Sequence, residues 1–261
     1  SIAAKVLMKV LYGARMCRFD LLRATCGLAR KITKWDRTCD KQLHRLMAYI
    51  NSTLDVKMHS WVGDDFKSLQ ANLFCDADFA GDNATMRSTT GIFLSLVGPN
   101  SKVAQSGTSK KQDCVSHSTP EAQLVALDTG LRAVGIPLIE ILSVLELNTK
   151  ILLREDNTAA MRIVVTGRSN AIRHLGRTHK VSIAWLHERY NEGCFELVET
   201  VSQEMAADIF TKFFPEGKAH EWNNNLRLIG MFDKATPLTV LVSTPKQGKA
   251  RARARARLGP C

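Results

Sequence analysis

The stretch LQANLFCDADFAGDNATMRSTTGIFLSLVGPNSKVAQSGTS, residues 69–109, decides the fold class of this chain. The runs LQANLFCDA, TGIFLSLVG and KVAQSGTS are short, apolar and partly alternating, which is typical of β-strands with one buried face. We predict DFAGDNATMRST to be a long polar turn and the Pro-Asn-Ser step to join the last two runs as a hairpin. Three strands therefore open the main domain.

A long amphipathic helix is predicted to follow these strands. Thr119 and Pro120 suit its N-cap and its first helical position. Apolar residues then recur at three- and four-residue steps, which indicates a helix lying on a sheet, and Gly135 and Pro137 should kink or split it. The stripe consists of Leu124, Leu127, Leu131, Val134, Leu138, Ile141 and Leu145.

Strand and helix patterns alternate along the rest of the chain. ILLRED and CFELVETV are predicted strands, and NTAAMRIVV, with Asn157 as its cap, and VSIAWLHERYNEG are predicted helices separated by a basic loop. SQEMAADIFTKFF is predicted to be a last helix that Ser202 caps. The order βββαβααβα predicts an α/β fold in which helices pack on a mixed sheet.

Two further segments flank this main domain of residues 69–213. Residues 1–60 carry two amphipathic helical patterns that need a surface to bury against, so we interpret them as a helical connection segment. The turn-rich run at 61–68 is the boundary. Residues 214–261 form a C-terminal extension, and its alternating Arg-Ala repeat at 250–257 is predicted to be disordered.

The net charge of +11 is unevenly distributed along the chain. Residues 1–60 carry twelve Lys and Arg against four Asp and Glu, a net charge of +8, and residues 246–261 carry six basic residues and no acid. The part between them has a net charge of −3. Basic segments around an acidic body are typical of a protein that binds a polyanion, and the alternative is a solubilising surface.

Seven cysteines are scattered without a C-x-x-C pair, which argues against a disulfide framework and structural zinc and for a reducing compartment. No stretch has the length or apolar character of a membrane span or a signal peptide. We therefore expect an intracellular protein, cytoplasmic or nuclear, that is not secreted and has no membrane partner. The sequence leaves its oligomeric state open.

Four acidic residues interrupt the apolar patterns: Asp76, Glu121, Asp156 and Asp208. Two follow apolar strands and two lie in helix stripes, where an ionised carboxylate is costly unless it is paired. Four such residues on separate elements indicate a shared divalent cation, since Mg²⁺ prefers carboxylate oxygens. Individually, each acid could instead be a helix-dipole acid, a cap, a turn residue or a surface acid.

Five runs in continuous order resemble the ribonuclease H domain of copia-type retrotransposon Pol polyproteins. They are CDADFAGD–RSTTGIFLSL, SKKQDCVSHSTPEAQLVAL, REDNTAAM, RTHKVSIAWLHERYNEGCFELV and AADIFTK. The segment from GARMC to NSTLD also resembles the connection between reverse transcriptase and ribonuclease H in such polyproteins. The resemblance implies a ribonuclease H-like fold, a catalytic role for the four acids, and hydrolysis of the RNA strand in RNA–DNA hybrids. Asp78 is the less favoured acid in its run.

The chemistry expected of the four acids is two-metal phosphodiester hydrolysis. They would hold two Mg²⁺ ions about 3.5–4 Å apart, with Mn²⁺ as a possible substitute, one activating water and the other stabilising the departing 3′-oxygen. The chain departs from the family at Gln123, where a second acid is common, and at VETVSQEM, which lacks the histidine of cellular enzymes. His117, His174 and His179 are predicted to be loop or surface histidines.

An RNA–DNA hybrid is the expected partner, recognised through its backbone shape and 2′-hydroxyls. Small polar and basic residues near the expected rim could contact phosphates, although ordinary turn chemistry would also explain them. These residues are Ser88, Thr89, Thr90, Ser109, Lys110, Lys111 and Asn157. The reverse transcriptase domain of the same polyprotein is expected to make many of the contacts that bind the hybrid.

Two other functions compete with this nuclease. One is a catalytically silent, nucleic-acid-binding remnant of a retroelement, which the odd tail favours. The other is an integrase-like transferase of the same fold class, which uses three acids, so the fourth acid at Asp208 counts against it.

Overall fold

The structure, a computed structural model, describes residues 2–145, 147 and 150–233. The helices in these ranges are α1 (Ile2–Met16), α2 (Leu22–Ala29), α3 (Arg37–Ser52), α4 (Thr119–Gly130), α5 (Ile136–Val144), α6 (Thr158–Thr166), α7 (Leu175–Thr178), α8 (Ile183–Asn191) and α9 (Ala219–Leu228). The strands are β1 (Lys57–Met58), β2 (Gln70–Asp82), β3 (Arg87–Gly98), β4 (Ser101–Lys111), β5 (Ile151–Glu155), β6 (Phe195–Glu199) and β7 (Met231–Phe232). The Arg-Ala repeat and the rest of the predicted extension beyond residue 233 lie outside the described residues.

A five-stranded mixed sheet in the order β4-β3-β2-β5-β6 forms the centre of the structure. Strands β2, β3 and β4 are successive antiparallel partners, and β5 and β6 run parallel to β2. The predicted α/β class with a mixed sheet is confirmed. The long polar turn is wrong, because β2 continues to Asp82 and β3 begins at Arg87. At these residues β2 and β3 extend beyond the core as a two-stranded antiparallel hairpin, which can carry polar side chains on both faces.

Helices α4, α5, α6 and α8 cover one face of the sheet. Ser118, rather than the predicted Thr119, caps α4 by accepting from the Glu121 amide. The expected split occurs as a π-helical segment, Leu131–Gly135. Its wider turn shifts the buried stripe by one residue, so that Leu142 is buried at 4% exposure while the predicted Ile141 is 60% exposed.

The predicted last helix is not an α-helix. Residues 202–210 form two short 3-10 segments, Ser202–Glu204 and Ala206–Phe210. Ser202 does not cap a helix with its hydroxyl, which donates to Asp156 instead. The second segment lies close against the sheet, where Gly91 and Gly107 leave room for Thr211 and Phe210.

The second face of the sheet is covered by both ends of the described chain. Buried residues of α1, α2 and α3 share one apolar cluster with Phe93 of β3, Phe210 of the 3-10 segment and Ile229 after α9. Strand β1 pairs with β7 beside this cluster. Residues 1–60 thus contain the helices α1, α2 and α3, and these helices lie on the sheet of the main domain. The boundaries of the three predicted segments stay a prediction.

Within the described part of the chain, no helix combines the length and the apolar character that crossing a bilayer requires.

Candidate functional site

Three of the four predicted acids come together at the centre of the sheet, beside strands β2 and β5. Asp76 lies within β2, and Asp156 directly follows the adjacent parallel strand β5. The register that pairs Phe74 with Arg154 carries these two aspartates to the same level of neighbouring strands. Asp208 comes from the 3-10 segment Ala206–Phe210, which packs on β2 and β3.

The three carboxylates interact through their charges. Burial raises the pKa of Asp208 to about 7, helped by the nearby charges of Asp76 and Asp156 and opposed by Lys212. Burial also raises the pKa of Asp156, and Asp76 adds to that rise. A shared cation would stabilise the ionised forms of Asp156 and Asp208, because it offsets both the repulsion between the carboxylates and their lost solvation.

Protein donors already hold several of these carboxylate oxygens. Gln123 Nε2 donates to Asp76 Oδ1 at 2.9 Å, and the Thr211 hydroxyl donates to Asp76 Oδ2. Lys212 Nζ lies 2.6 Å from Asp208 Oδ2. Gln123 thus holds one oxygen of Asp76 in place. Lys212 brings a positive charge that contacts Asp208 and interacts electrostatically with the other two aspartates.

Lys212 responds electrostatically to all three aspartates. Burial lowers its pKa, but the hydrogen bond to Asp208 and the charges of Asp208, Asp76 and Asp156 outweigh that effect and raise it. Its ammonium group is therefore charged at neutral pH. The side chain is 43% exposed, so it can swing into solvent without unpacking the core.

Glu121 lies apart from this group and contacts histidines. Its carboxylate is fully buried, and Oε1 lies 3.2 Å from Nε2 of both His174 and His179. Its Oε2 accepts the His117 amide at 3.0 Å. His179 lies in the turn after α7, as a loop residue would, but it is not a surface residue, because its side chain is only 2% exposed and contacts Glu121. The half-exposed His174 shares that carboxylate.

Asp78 and Glu155 are neighbours of the site with different environments. Asp78 accepts from the Thr89 amide and from Arg23, and burial raises its pKa to about 6. Glu155 is fully buried, and burial raises its pKa well above the ordinary value. Its Oε2 has no hydrogen-bond partner among the described residues, so this carboxyl group is best accommodated in its protonated form.

The donor set fits a hard divalent cation, although the side chains are not yet arranged as a metal centre. No group of three or more His, Cys, Asp or Glu residues in the described ranges has metal-binding geometry. However, Oδ1 of Asp208 is buried without a hydrogen-bond partner, and the group it joins offers only carboxylate oxygens. Such oxygens suit Mg²⁺. Asp76, Asp156 and Asp208 could hold the ion once Lys212 releases Asp208.

Most of the predicted phosphate-binding residues have structural contacts. Ser88, Thr89, Thr90 and Ser109 are buried in the sheet. Ser88 Oγ accepts from the Ala80 amide, and Ser109 Oγ donates to the Phe210 carbonyl at 2.7 Å. These four side chains therefore have no open path to a phosphate in this conformation, because side-chain or backbone packing covers them.

The remaining three predicted contacts differ in their accessibility. Asn157 caps α6 by accepting from the Ala160 amide at 2.9 Å, as its helix-cap prediction required. Lys111 pairs with Asp82, while Lys110 is exposed. Both lysines border a cavity of about 440 Å³ between the end of β4, α4 and residues 178–181. Lys110 is the predicted contact best placed to meet a polyanion.

Sequence reasoning missed the residues that hold the acids in place. Thr211 and Lys212 follow Asp208 by three and four residues, so their contact with Asp208 could have been predicted from helical spacing. His174 lies 53 residues from Glu121, and Arg23 lies 55 residues from Asp78. No local pattern reports such distant pairs.

Comparison with known proteins supplies independent information on origin. The chain is 29% identical over 148 residues to the Retrovirus-related Pol polyprotein from transposon TNT 1-94 of Nicotiana tabacum. The match covers 56% of this chain and 10% of that polyprotein, so the chain spans about a tenth of the relative's length. No family model matches the chain, and no solved structure matches it. The chain is thus similar to one part of a retrotransposon Pol polyprotein.

Proposed function

We propose that this chain is a ribonuclease H-type, metal-dependent endonuclease that hydrolyses the RNA strand of RNA–DNA hybrids. The observation that carries the proposal is the convergence of Asp76, Asp156 and Asp208, whose charges interact beside the central strands β2 and β5 of the mixed sheet. The strand order β4-β3-β2-β5-β6 and the similarity to a retrotransposon Pol polyprotein support it.

Each residue has a stated task in this proposal. Asp76, Asp156 and Asp208 hold Mg²⁺ or Mn²⁺, with Glu121 as a predicted fourth ligand. Bound divalent ions would supply Lewis acidity for the attacking water and the leaving oxygen. Gln123 and Thr211 orient Asp76, and Lys212 neutralises the acids before a metal enters. Lys110 attracts the phosphates of the hybrid backbone, and the reverse transcriptase domain binds the hybrid further.

The competing function is a nucleic-acid-binding protein without catalysis. One observation favours it: Glu121 is engaged by two histidines and Asp208 by Lys212, so neither carboxylate is free in this conformation. A protein of this kind would bind hybrids through its basic segments and would not respond to divalent metal.

Cleavage of an end-labelled RNA–DNA hybrid in Mg²⁺ or Mn²⁺ tests the proposal. The wild-type chain and Asp156→Asn should bind the hybrid equally, and only the wild type should cut the RNA strand. RNA, DNA and double-stranded DNA controls should stay intact. A folded wild-type chain that binds the hybrid without cutting it, alone or with an added reverse transcriptase domain, would favour the silent protein.

A further inference from the structure

One residue of the N-terminal helices reaches the candidate site. Arg23 lies on α2, and its side chain is only 11% exposed. Its Nε donates to the carbonyl oxygen of Thr211 at 2.9 Å, and a terminal nitrogen lies 3.3 Å from Asp78 Oδ2. The guanidinium carbon also lies 4.8 Å from the centre of the Phe213 ring. A single side chain therefore contacts both β2 and the segment that follows Asp208.

These contacts bear on the aspartates through one intermediate residue. Thr211 is the residue whose hydroxyl donates to Asp76, and its amide donates to the Asp208 carbonyl at 3.1 Å. The next amide, that of Lys212, also donates to Asp208 at 2.8 Å. Fixing the Thr211 carbonyl thus fixes the backbone that links Asp208 to Asp76.

The same segment is also held by the Ser109 hydroxyl, which donates to the Phe210 carbonyl, and by the buried Phe210 ring. Arg23 holds the carbonyl of the next residue, Thr211. The segment is a short 3-10 turn rather than a multi-turn helix, so it lacks the cooperative hydrogen bonding of an α-helix. Phe213 is 78% exposed and contributes little burial of its own. The planar guanidinium can donate in two directions and stack on a ring at once, which a lysine cannot do.

We propose that Arg23 is a positioning residue for the candidate metal site, through which α2 holds the 208–213 segment in register with Asp76. Arg23 touches none of the predicted ligands. The inference rests on the proposed function for its catalytic consequence, while its structural content can be measured without any activity. It gives the N-terminal helical segment a direct part in the site.

The decisive variants are Arg23→Ala and Arg23→Lys, with Arg45→Ala as the matched control. Arg45 is an exposed arginine of α3, so its removal changes the charge of the same N-terminal segment equally. Hydrogen exchange of the Thr211 and Lys212 amides should be at least about tenfold faster in Arg23→Ala, as local opening becomes easier. Arg23→Lys should lie between, and Arg45→Ala should match the wild type.

Mn²⁺ titration followed by electron paramagnetic resonance, and hybrid cleavage, complete the test. Arg23→Ala should bind Mn²⁺ several-fold more weakly and lose kcat with little change in KM for the hybrid. Unchanged amide exchange at Thr211 and Lys212, or an equal effect in Arg45→Ala, would overturn the inference. If Arg23→Ala does not fold, Arg23→Lys is judged by the same criterion. If the wild type never cleaved the hybrid, only the proposed nuclease activity would be refuted. The role of Arg23 would still be tested by amide exchange, which does not depend on activity.

Discussion

Lys212 Nζ lies 2.6 Å from Oδ2 of Asp208, four residues earlier in the chain, and it also interacts with the charges of Asp76 and Asp156. An ammonium group therefore occupies the electrostatic position that a divalent cation would take among these acids. Under the proposed function the lysine ammonium and a divalent cation would compete for the same oxygens, so we expect Lys212 to weaken metal binding.

We expect Lys212→Met to bind Mn²⁺ more tightly than the wild type. Removing a competing charge of this kind should improve the affinity about tenfold, which corresponds to ~1.4 kcal/mol. Isothermal titration calorimetry measures the Mn²⁺ affinity of each variant. Lys67→Met is the charge-matched control, because Lys67 is an exposed lysine distant in sequence from Lys212. If Lys212→Met bound Mn²⁺ more weakly while the control did not, Lys212 would not compete with the metal. It would instead help to hold the aspartates in place.

Stability in the absence of metal should fall as the pH rises. Burial raises the pKa of Asp208 to about 7 and that of Asp78 to about 6, so the folded state binds more protons than the unfolded state between pH ~4 and ~7. Acids with raised pKa values favour the fold when protonated, and that contribution is lost as they ionise. Thermal unfolding in EDTA should show a lower Tm at pH ~8 than at pH ~5.

Divalent metal should reverse this dependence, because it binds the ionised carboxylates of the folded chain alone. Added Mg²⁺ should raise Tm more at pH ~8 than at pH ~5, by the linkage between ligand binding and stability. Asp208→Asn should flatten both curves. A Tm that rises with pH in EDTA would contradict this prediction, because it would show that ionisation of these acids stabilises the folded state.

Glu155→Gln and Asp156→Asn should have opposite consequences although the two residues are adjacent. Burial favours the protonated form of Glu155, so a neutral amide should preserve stability and hybrid cleavage. Asp156 faces the other acids, and its amide should abolish cleavage while leaving the fold intact. Cleavage rates and Tm values of the pair measure this, and the reverse pattern would make Glu155 the ligand of the strand.

Gly91→Ala should loosen the segment that carries Asp208. A Cβ at Gly91 would lie 2.7 Å from Thr211 Cγ2 and 2.8 Å from the Ala207 carbonyl oxygen, and the backbone atom cannot easily move. The expected cost is about 1–3 kcal/mol in unfolding free energy, as for other overpacked sites.

Gly13→Ala is the control for this substitution, because a Cβ there meets nothing within 4 Å inside α1. It should stabilise the chain by ~0.5–1 kcal/mol through helix propensity. Urea unfolding of both variants compares them directly. A Gly91→Ala variant as stable as the wild type would mean that the 206–211 segment moves aside without an energetic cost.

The sequence predicted the sheet and its acids better than it predicted their partners. Short apolar runs mark β2 and β3 because packed residues cover both faces of these strands, and Asp76 and Asp156 are found from their places on and directly after apolar strands. The last helix was wrong because three- and four-residue spacing cannot be told apart over five residues, so a 3-10 turn at Ala206–Phe210 resembles one turn of α-helix. The Glu121 contacts depend on tertiary packing that local spacing does not encode.

The pairing of Lys57 with Phe232 and of Met58 with Met231 joins positions from the two ends of the described chain. A single peptide-bond cut within residues 61–68 would therefore leave a nicked protein whose two pieces remain associated through that ladder and a shared core. Co-expressed fragments divided there should complement each other. A recombinant protein limited to residues 69–213 would lack α1, α2, α3 and α9, which pack on one face of the sheet.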